Sequence, residues 1–206
     1  WRVVVPPGSA NDPVAVAMVL HASPATRWAE VSWINERVER FIPEDDNYPD
    51  QWHLDNSGQF GGTADNDINA PEAWDLELGS SDVVIAILDS GVDLDHPDLQ
   101  DSLVPGWDFL DNDDDPNPNG SSHGTSCAGT ACAPAQGLGV VGSCPGCLIM
   151  PIRMLGADDE TEAEALDWAV QNGASIVSNS WGPTDGTGSF TPISGAMATA
   201  VDFAVN

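Results

Sequence analysis

The chain contains no lysine. Five basic residues, all arginine, face 33 acidic ones, 24 of them Asp, and the formal net charge is −28 at pH 7. A chain so short of positive charge cannot neutralise phosphates, which excludes nucleic acid and anionic membrane surfaces as partners. Long hydrophobic runs are missing as well. No stretch of about 18 apolar residues occurs, so no membrane-spanning helix is expected. Trp1 stands where a Met would begin a nascent chain, and no charged-then-apolar leader follows it, so the start reads as processed or trimmed.

What is present supports a folded chain. The 206 residues are 41% hydrophobic, enough for one domain and a small extra segment. Nine Asp lie between Asp93 and Asp115. Such local self-repulsion calls for calcium or high salt. Four cysteines lie between 127 and 147. "SCPGCL" closes a very short loop, so Cys144 and Cys147 suit a disulfide in an exported, oxidised setting. The alternative is a zinc site using all four, since C-x4-C followed by C-x2-C is near ligand spacing. Cys127 and Cys132 fall in a Gly/Ala-rich helical stretch, where inert buried thiols are ordinary.

The pattern divides the chain in two. Residues 1–42 read as a small β-α-β piece holding four of the five Arg: "RVVVPP", then a helix over "NDPVAVAMVLHAS", then the alternating "WAEVSWI". "FIPEDDNYPDQ" reads as an exposed linker, with the boundary near 42 to 46. Residues 43–206 alternate strand and helix. Strands are expected at 82–90, 147–155 and 175–181. Helices are expected over "HGTSCAGTACA", over "ETEAEALDWAVQNGA" with Thr161 and Glu164 as a capping box and Gly173 at its end, and over "SGAMATAVDFAVN" behind Ser194. This order implies an α/β fold with a parallel sheet, whose functional edge lies at the strand carboxyl ends. Asp89, closing the run "VVIAILD", sits at that edge.

"SSHGTSCAGTACAPA" contains two overlapping catalytic words, one centred on His123 and one on Ser126. Residues so close in sequence are poor candidates for two halves of one proton relay. Asp89 at a strand end, followed 34 residues later by His123 at a helix start, forms the better pair: a carboxylate orienting an imidazole.

"VVIAILDSGVDLDHPDL", "GWDFLDNDDDPNPNGSSHGTSCAGT", "MPIRML" and "SIVSNSWG" resemble the subtilisin-like serine proteases (peptidase family S8), above all their thermitase-like and kexin-like branches. The resemblance covers roughly 45 to 206 and implies a three-layer parallel-sheet fold for that part. It implies that Asp89 fixes the imidazole tautomer and that His123 acts as general base, then general acid. It implies that Ser180, Trp181 and Gly182 pair with an extended polypeptide substrate, with Trp181 in place of the family's Leu. Ser126 occupies a slot where the family often carries a second His, so it is expected to face its helix. In this family the nucleophilic Ser lies about 160 residues after the His. Only 83 residues follow His123. The Ser and the oxyanion Asn are therefore expected outside this chain, in a remaining C-terminal part from the same gene or a separate chain.

The same resemblance implies Ca2+. A first site falls on Asp108, Asp111, Asp113, Asp115 and Asn117. A second falls on Asp45, Asp98 and the loop 134 to 140, with Gln136 where an Asn is usual. Residues 1–42 resemble the C-terminal part of an inhibitory, folding-assisting propeptide that stays a partner after cleavage between Phe41 and Asp46. "GLGVVG" (137–142) formally matches a dinucleotide motif, but it follows a helix instead of opening one, which excludes that use. The expectation is a secreted, calcium-dependent serine endopeptidase, present as a zymogen-derived or cleaved piece that is inactive alone. The alternative is a catalytically inactive interaction protein on the same fold.

Overall fold

The computed structural model describes residues 12–31, 40–182 and 193–205. It divides into two compact units, Trp1–Glu39 and Arg40–Asn206. In the first, helix α1 spans Pro13–His21. Asp12 caps it, its carboxylate accepting the Val14 N–H at 3.0 Å, and Pro13 occupies the first helical position, where its missing N–H costs nothing. The alternation over 28–34 predicts a strand. Residues 28–31 form none, and the rest of that stretch lies outside the described residues, as does "RVVVPP".

The second unit is built on a four-stranded, all-parallel sheet: β1 (Val84–Asp89), β2 (Trp107–Asp108), β3 (Leu148–Arg153) and β4 (Ile176–Ser178), in the order β2-β3-β1-β4. Helix α2 (Ala70–Trp74) precedes β1, α3 (His123–Cys132) lies between β2 and β3, α4 (Asp159–Gln171) between β3 and β4, and α5 (Gly195–Val205) follows β4. Both faces of β1 are covered, so it reads as one continuous apolar run. Ala86 and Leu88 pack with Met150, Ile152, Leu166, Ala169 and Ala200 on the α4/α5 side. Ile85 and Ile87 pack with Ile149, Ala128 and Cys132 on the α3 side. The architecture is three-layer α/β, as the alternation of elements predicts.

Two local expectations change. The N-cap of α4 is Asp158, not Thr161. Asp158 Oδ1 accepts both the backbone N–H of Thr161 (3.0 Å) and its hydroxyl (2.8 Å), so Thr161 serves as the third helical residue. Those two bonds hold the Asp158 carboxyl below the usual range. Nor is "FIPEDDNYPDQ" an exposed linker. Phe41 stacks edge-on against Trp74, and Asp45, Tyr48 and Gln51 are buried. The Tyr48–Trp74 cluster is a third small core, closed by Leu54, Ala70 and Val141. Pro and acid density marked this stretch as exposed, whereas Phe41, Tyr48 and Gln51 are drawn inward by partners remote in sequence. Gln51, for example, exchanges two hydrogen bonds with the backbone of Val141.

Cys144 and Cys147 form a disulfide, and Cys127 and Cys132 are free, so no four-cysteine zinc site forms. The clipped loop joins the sheet to the helix layer. Gly146 N–H bonds Leu78 O just ahead of β1, while the Ser143 and Cys144 N–H groups bond Thr130 O and Ala131 O at the end of α3. Replacing both Cys144 and Cys147 by Ser should lower unfolding free energy by about 2 kcal/mol, the loop-closure value for so short a ring. Urea titration of the variant against the oxidised parent measures it.

Candidate active site

Strand alternation places Ile85, Ile87 and Asp89 on the sheet face that α3 covers. Asp89 is fully buried (0% exposed). An ionised carboxylate there needs partners. Ser90 N–H donates to Oδ1 at 2.7 Å, and His123 Nδ1 stands 2.8 and 2.9 Å from the two carboxylate oxygens. The acceptor-only carboxylate assigns the proton to Nδ1, which leaves Nε2 as the basic nitrogen. The His123 side chain is 49% exposed, so the ring is anchored on one edge and open on the other. This is the arrangement a general base needs.

The pair meets because α3 approaches β1 unusually closely. A Cβ on Gly124 would lie 2.3 Å from Gly91 O and 3.0 Å from Asp89 Cβ. Ser90 Oγ completes the junction by accepting the Gly124 N–H at 3.1 Å. Ser126 is not a rival nucleophile. Its hydroxyl donates to Ser122 O one turn back in its own helix.

β4 pairs with β1 on one side and, among the described residues, with no strand on the other. Ser180, Trp181 and Gly182 continue from its end. The Trp181 indole N–H donates to Leu88 O at 2.8 Å, which ties the segment to β1 beside the dyad. Trp181 also walls a cavity of about 330 Å³ together with Leu88, Leu166 and Met197, into which Glu162 projects. Burial, then Asp159 and Asp158, raise the Glu162 carboxyl above its usual range.

Asp108 is buried, and its Oδ1 accepts the Leu110 and Asp111 N–H groups. Its other oxygen pairs with the Arg153 guanidinium, which also reaches Asp111 at 2.7 Å. Asp113 and Asp115 turn back on their own loop: Asp113 accepts Asp115 N–H, and Asp115 accepts the Asn117 side-chain amide at 2.7 Å. Asn117 Oδ1 accepts Leu94 N–H at 3.0 Å. Arg153 was legible only as part of a family-like strand. The signal was there: it is the lone Arg after Arg40, and it closes an apolar run in a chain of 33 acids.

Two of the residues expected at the second metal site meet one loop. Asp45 and Asp98 are 2% and 3% exposed. Asp45 Oδ1 accepts the Gln136 and Leu138 N–H groups, and Asp98 Oδ2 accepts Val140 N–H, so both carboxylates bind one loop. Asp45 Oδ2 and Asp98 Oδ1 are buried without a hydrogen-bond partner. Gly139, at φ +64°, lets the loop close on Asp98, where a Cβ would stand 2.2 Å from Oδ2. "GLGVVG" is thus a carboxylate-wrapping loop. Buried carboxylate oxygens without a hydrogen-bond partner are donors that could hold a hard cation.

The subtilase (Peptidase_S8) family matches residues 80–205, and the chain belongs to that family. It is 38% identical over 172 residues to a protein named calcium-dependent protease from Trichormus variabilis, covering 77% of this chain and 26% of that one. It is 44% identical over 124 residues to thermitase of Thermoactinomyces vulgaris, covering 58% of this chain and 44% of thermitase. It is 34% identical over 178 residues to mouse furin (Mus musculus), covering 81% and 22%. Among solved structures, the Aeromonas sobria serine protease in complex with its chaperone superposes with a TM-score of 0.67 at 25% identity, over 76% of this chain and 28% of that one. The chain therefore spans between about a fifth and a half of the length of these relatives.

Two substitutions test the site. Gly124→Ala should cost about 1–3 kcal/mol in thermal or urea unfolding, because backbone on the far side of the contact cannot yield. It should also weaken the Nδ1–H resonance of His123 in NMR spectra. Arg153→Met leaves Asp108 buried beside Asp111 without its cation and should cost about 3–5 kcal/mol. Urea titration at fixed ionic strength measures it.

Proposed function

We propose that this chain is part of a secreted serine endopeptidase that cleaves polypeptides through an acyl-enzyme. The buried Asp89 paired with a half-exposed His123 carries this reading. Asp89 holds the proton on Nδ1 and stabilises the imidazolium. His123 Nε2 takes the proton of the attacking hydroxyl and returns it to the leaving amine. Ser180, Trp181 and Gly182 lie against an extended substrate, with Trp181 as a pocket wall. The nucleophilic Ser and the oxyanion amide come from outside this chain, which alone has no proteolytic activity. Residues 1–42 act as the propeptide remnant, released by cleavage between Phe41 and Asp46. Residues 43–206 form the N-terminal portion of the catalytic domain.

The decisive experiment expresses the chain together with the remainder of its gene and measures peptide hydrolysis. His123→Ala should lower kcat by a factor of about 10⁶ and Asp89→Asn by about 10⁴. Undiminished hydrolysis in either variant would remove the proposed roles. A correctly folded product that never cleaves peptides and never acylates with a serine-directed inhibitor would identify an inactive interaction protein instead.

Calcium completes the proposal. The unpaired oxygens of Asp45 and Asp98 support a cation held by these residues with the loop around Gln136. The Asp108, Asp111, Asp113, Asp115 and Asn117 loop is a second candidate, in which Arg153 already offsets part of the charge. Bound calcium would neutralise buried carboxylates and stabilise the fold by mass action. Millimolar calcium should raise the melting temperature relative to chelator, and Asp98→Asn should remove most of that rise. Equal melting with calcium and with chelator would end the calcium proposal.

A further inference from the structure

Two asparagines precede glycine in the chain, Asn119 in "NPNGSS" and Asn172 in "QNGA". An Asn–Gly step is chemically weak, because a glycine nitrogen, with no Cβ beside it, reaches the asparagine side-chain carbonyl more easily than a substituted residue's does. Asn117 is the opposite case, since Pro118 has no N–H to attack with. Both Asn–Gly pairs are exposed, and both glycines have positive φ, +81° at Gly120 and +96° at Gly173. Exposure and local sequence therefore do not separate them. Hydrogen bonding does. The Asn172 side-chain amide donates to Trp168 O at 2.8 Å, its backbone N–H donates to the same oxygen at 2.9 Å, and the Gly173 N–H donates to Val170 O at 3.1 Å. The end of α4 thus holds both reacting groups. At 119 nothing does. Among the described residues, neither the Asn119 side chain nor the Gly120 N–H is hydrogen-bonded, and the space a Gly120 Cβ would enter is open.

We infer that Asn119 is a site of spontaneous deamidation and isoaspartate formation, four residues ahead of the histidine of the dyad. The Gly120 amide nitrogen gives its proton to solvent hydroxide and attacks Asn119 Cγ. The N–Cγ bond forms, the Cγ–Nδ2 bond breaks, and the side-chain nitrogen leaves as ammonia. Water then opens the resulting succinimide. Breaking the new N–Cγ bond gives aspartate. Breaking the original bond between Gly120 N and the Asn119 carbonyl carbon gives isoaspartate, whose backbone runs through Cβ and Cγ and is one atom longer. Water is the only co-reactant. The consequence for catalysis rests on the proposed protease function. Ser121 holds the start of α3 from two sides: its Oγ accepts the His123 N–H at 3.3 Å, and its carbonyl accepts the Ser90 hydroxyl at 3.4 Å. Ser90 Oγ in turn accepts the Gly124 N–H. An extra backbone atom at 119 feeds into this turn and displaces the ring that faces Asp89. Aspartate at 119 adds charge but keeps the backbone length, so isoaspartate is the form that slows hydrolysis.

The test ages the full chain in mildly alkaline buffer containing calcium and maps both sites by peptide mass spectrometry and isoaspartyl methyltransferase labelling. Asn119 should convert at least roughly tenfold faster than Asn172, where attack must first break hydrogen bonds. In urea the two rates should approach each other, since only the fold protects Asn172. Comparable rates in the folded chain overturn the inference, and so does a tenfold ratio that persists in urea. Asn119→Gln should remove the labelling at this position. In the proteolytically competent gene product, aged with a reversible inhibitor to suppress autolysis, hydrolysis should fall in step with isoaspartate at 119. Asn119→Asp should start at the parent rate, Asn119→Gln should keep its activity through ageing, and methyltransferase repair should restore the aged parent. Isoaspartate accumulating at 119 with hydrolysis unchanged would overturn the effect on the relay. Absence of any hydrolysis would count against the protease reading, while the mass mapping still decides the modification site.

Discussion

The first turn of α3 touches the end of β1 backbone to backbone, and the candidate site depends on that contact. It exists because position 124 carries no side chain: a Cβ there would lie 2.3 Å from Gly91 O. Closing this distance buries Asp89 and brings His123 Nδ1 within 3 Å of both its oxygens. A carboxylate buried this deeply is costly unless paired. The imidazole and the Ser90 N–H therefore stabilise the fold as well as arranging the chemistry. Structure and proposed function share one set of interactions here, so mutating either partner disturbs both.

Charge is the second constraint. With 33 acids and no lysine, each fixed cation matters. Arg153 extends from β3 into the acidic loop and gathers Asp108 and Asp111. Its position is dictated by the sheet: the parallel register sets Arg153 beside both Asp89 and Asp108. The proton relay and the charge-neutralising pair thus hang on adjacent strands. Where no arginine is available, at Asp45 and Asp98, the carboxylates rely on loop N–H groups and leave one oxygen each unpaired. The contrast explains why the cation proposal is strongest at the site whose sequence pattern was weaker.

Much of the fold was legible because its period is local. The apolar runs at β1 and β3, the helix over His123–Cys132 and the Gly173 stop of α4 all follow from side-chain pattern and backbone preference. The short β2 strand, at Trp107–Asp108, was not legible. Two residues carry no periodic signal, and β2 exists because β3 offers it a partner. The burial of residues 41–51 was misread for the same reason: Trp74 and Val141, which cover it, lie far along the chain. Thr161 as a cap was a register error, since Asp158 offers the same chemistry three residues earlier.

Sequence by itself determined which residues can act: an aspartate ending a buried strand, a histidine opening a helix, and acids dense enough to demand cations. These follow from residue type and short spacing, which need no tertiary knowledge. Only the tertiary structure decided which of them meet. Arg153 claims Asp108 and Asp111, the loop around Gly139 binds Asp45 to Asp98, and Cys127 comes to rest against the dyad. Those outcomes depend on the parallel register and on the close approach of α3 to the end of β1, and no local pattern encodes either.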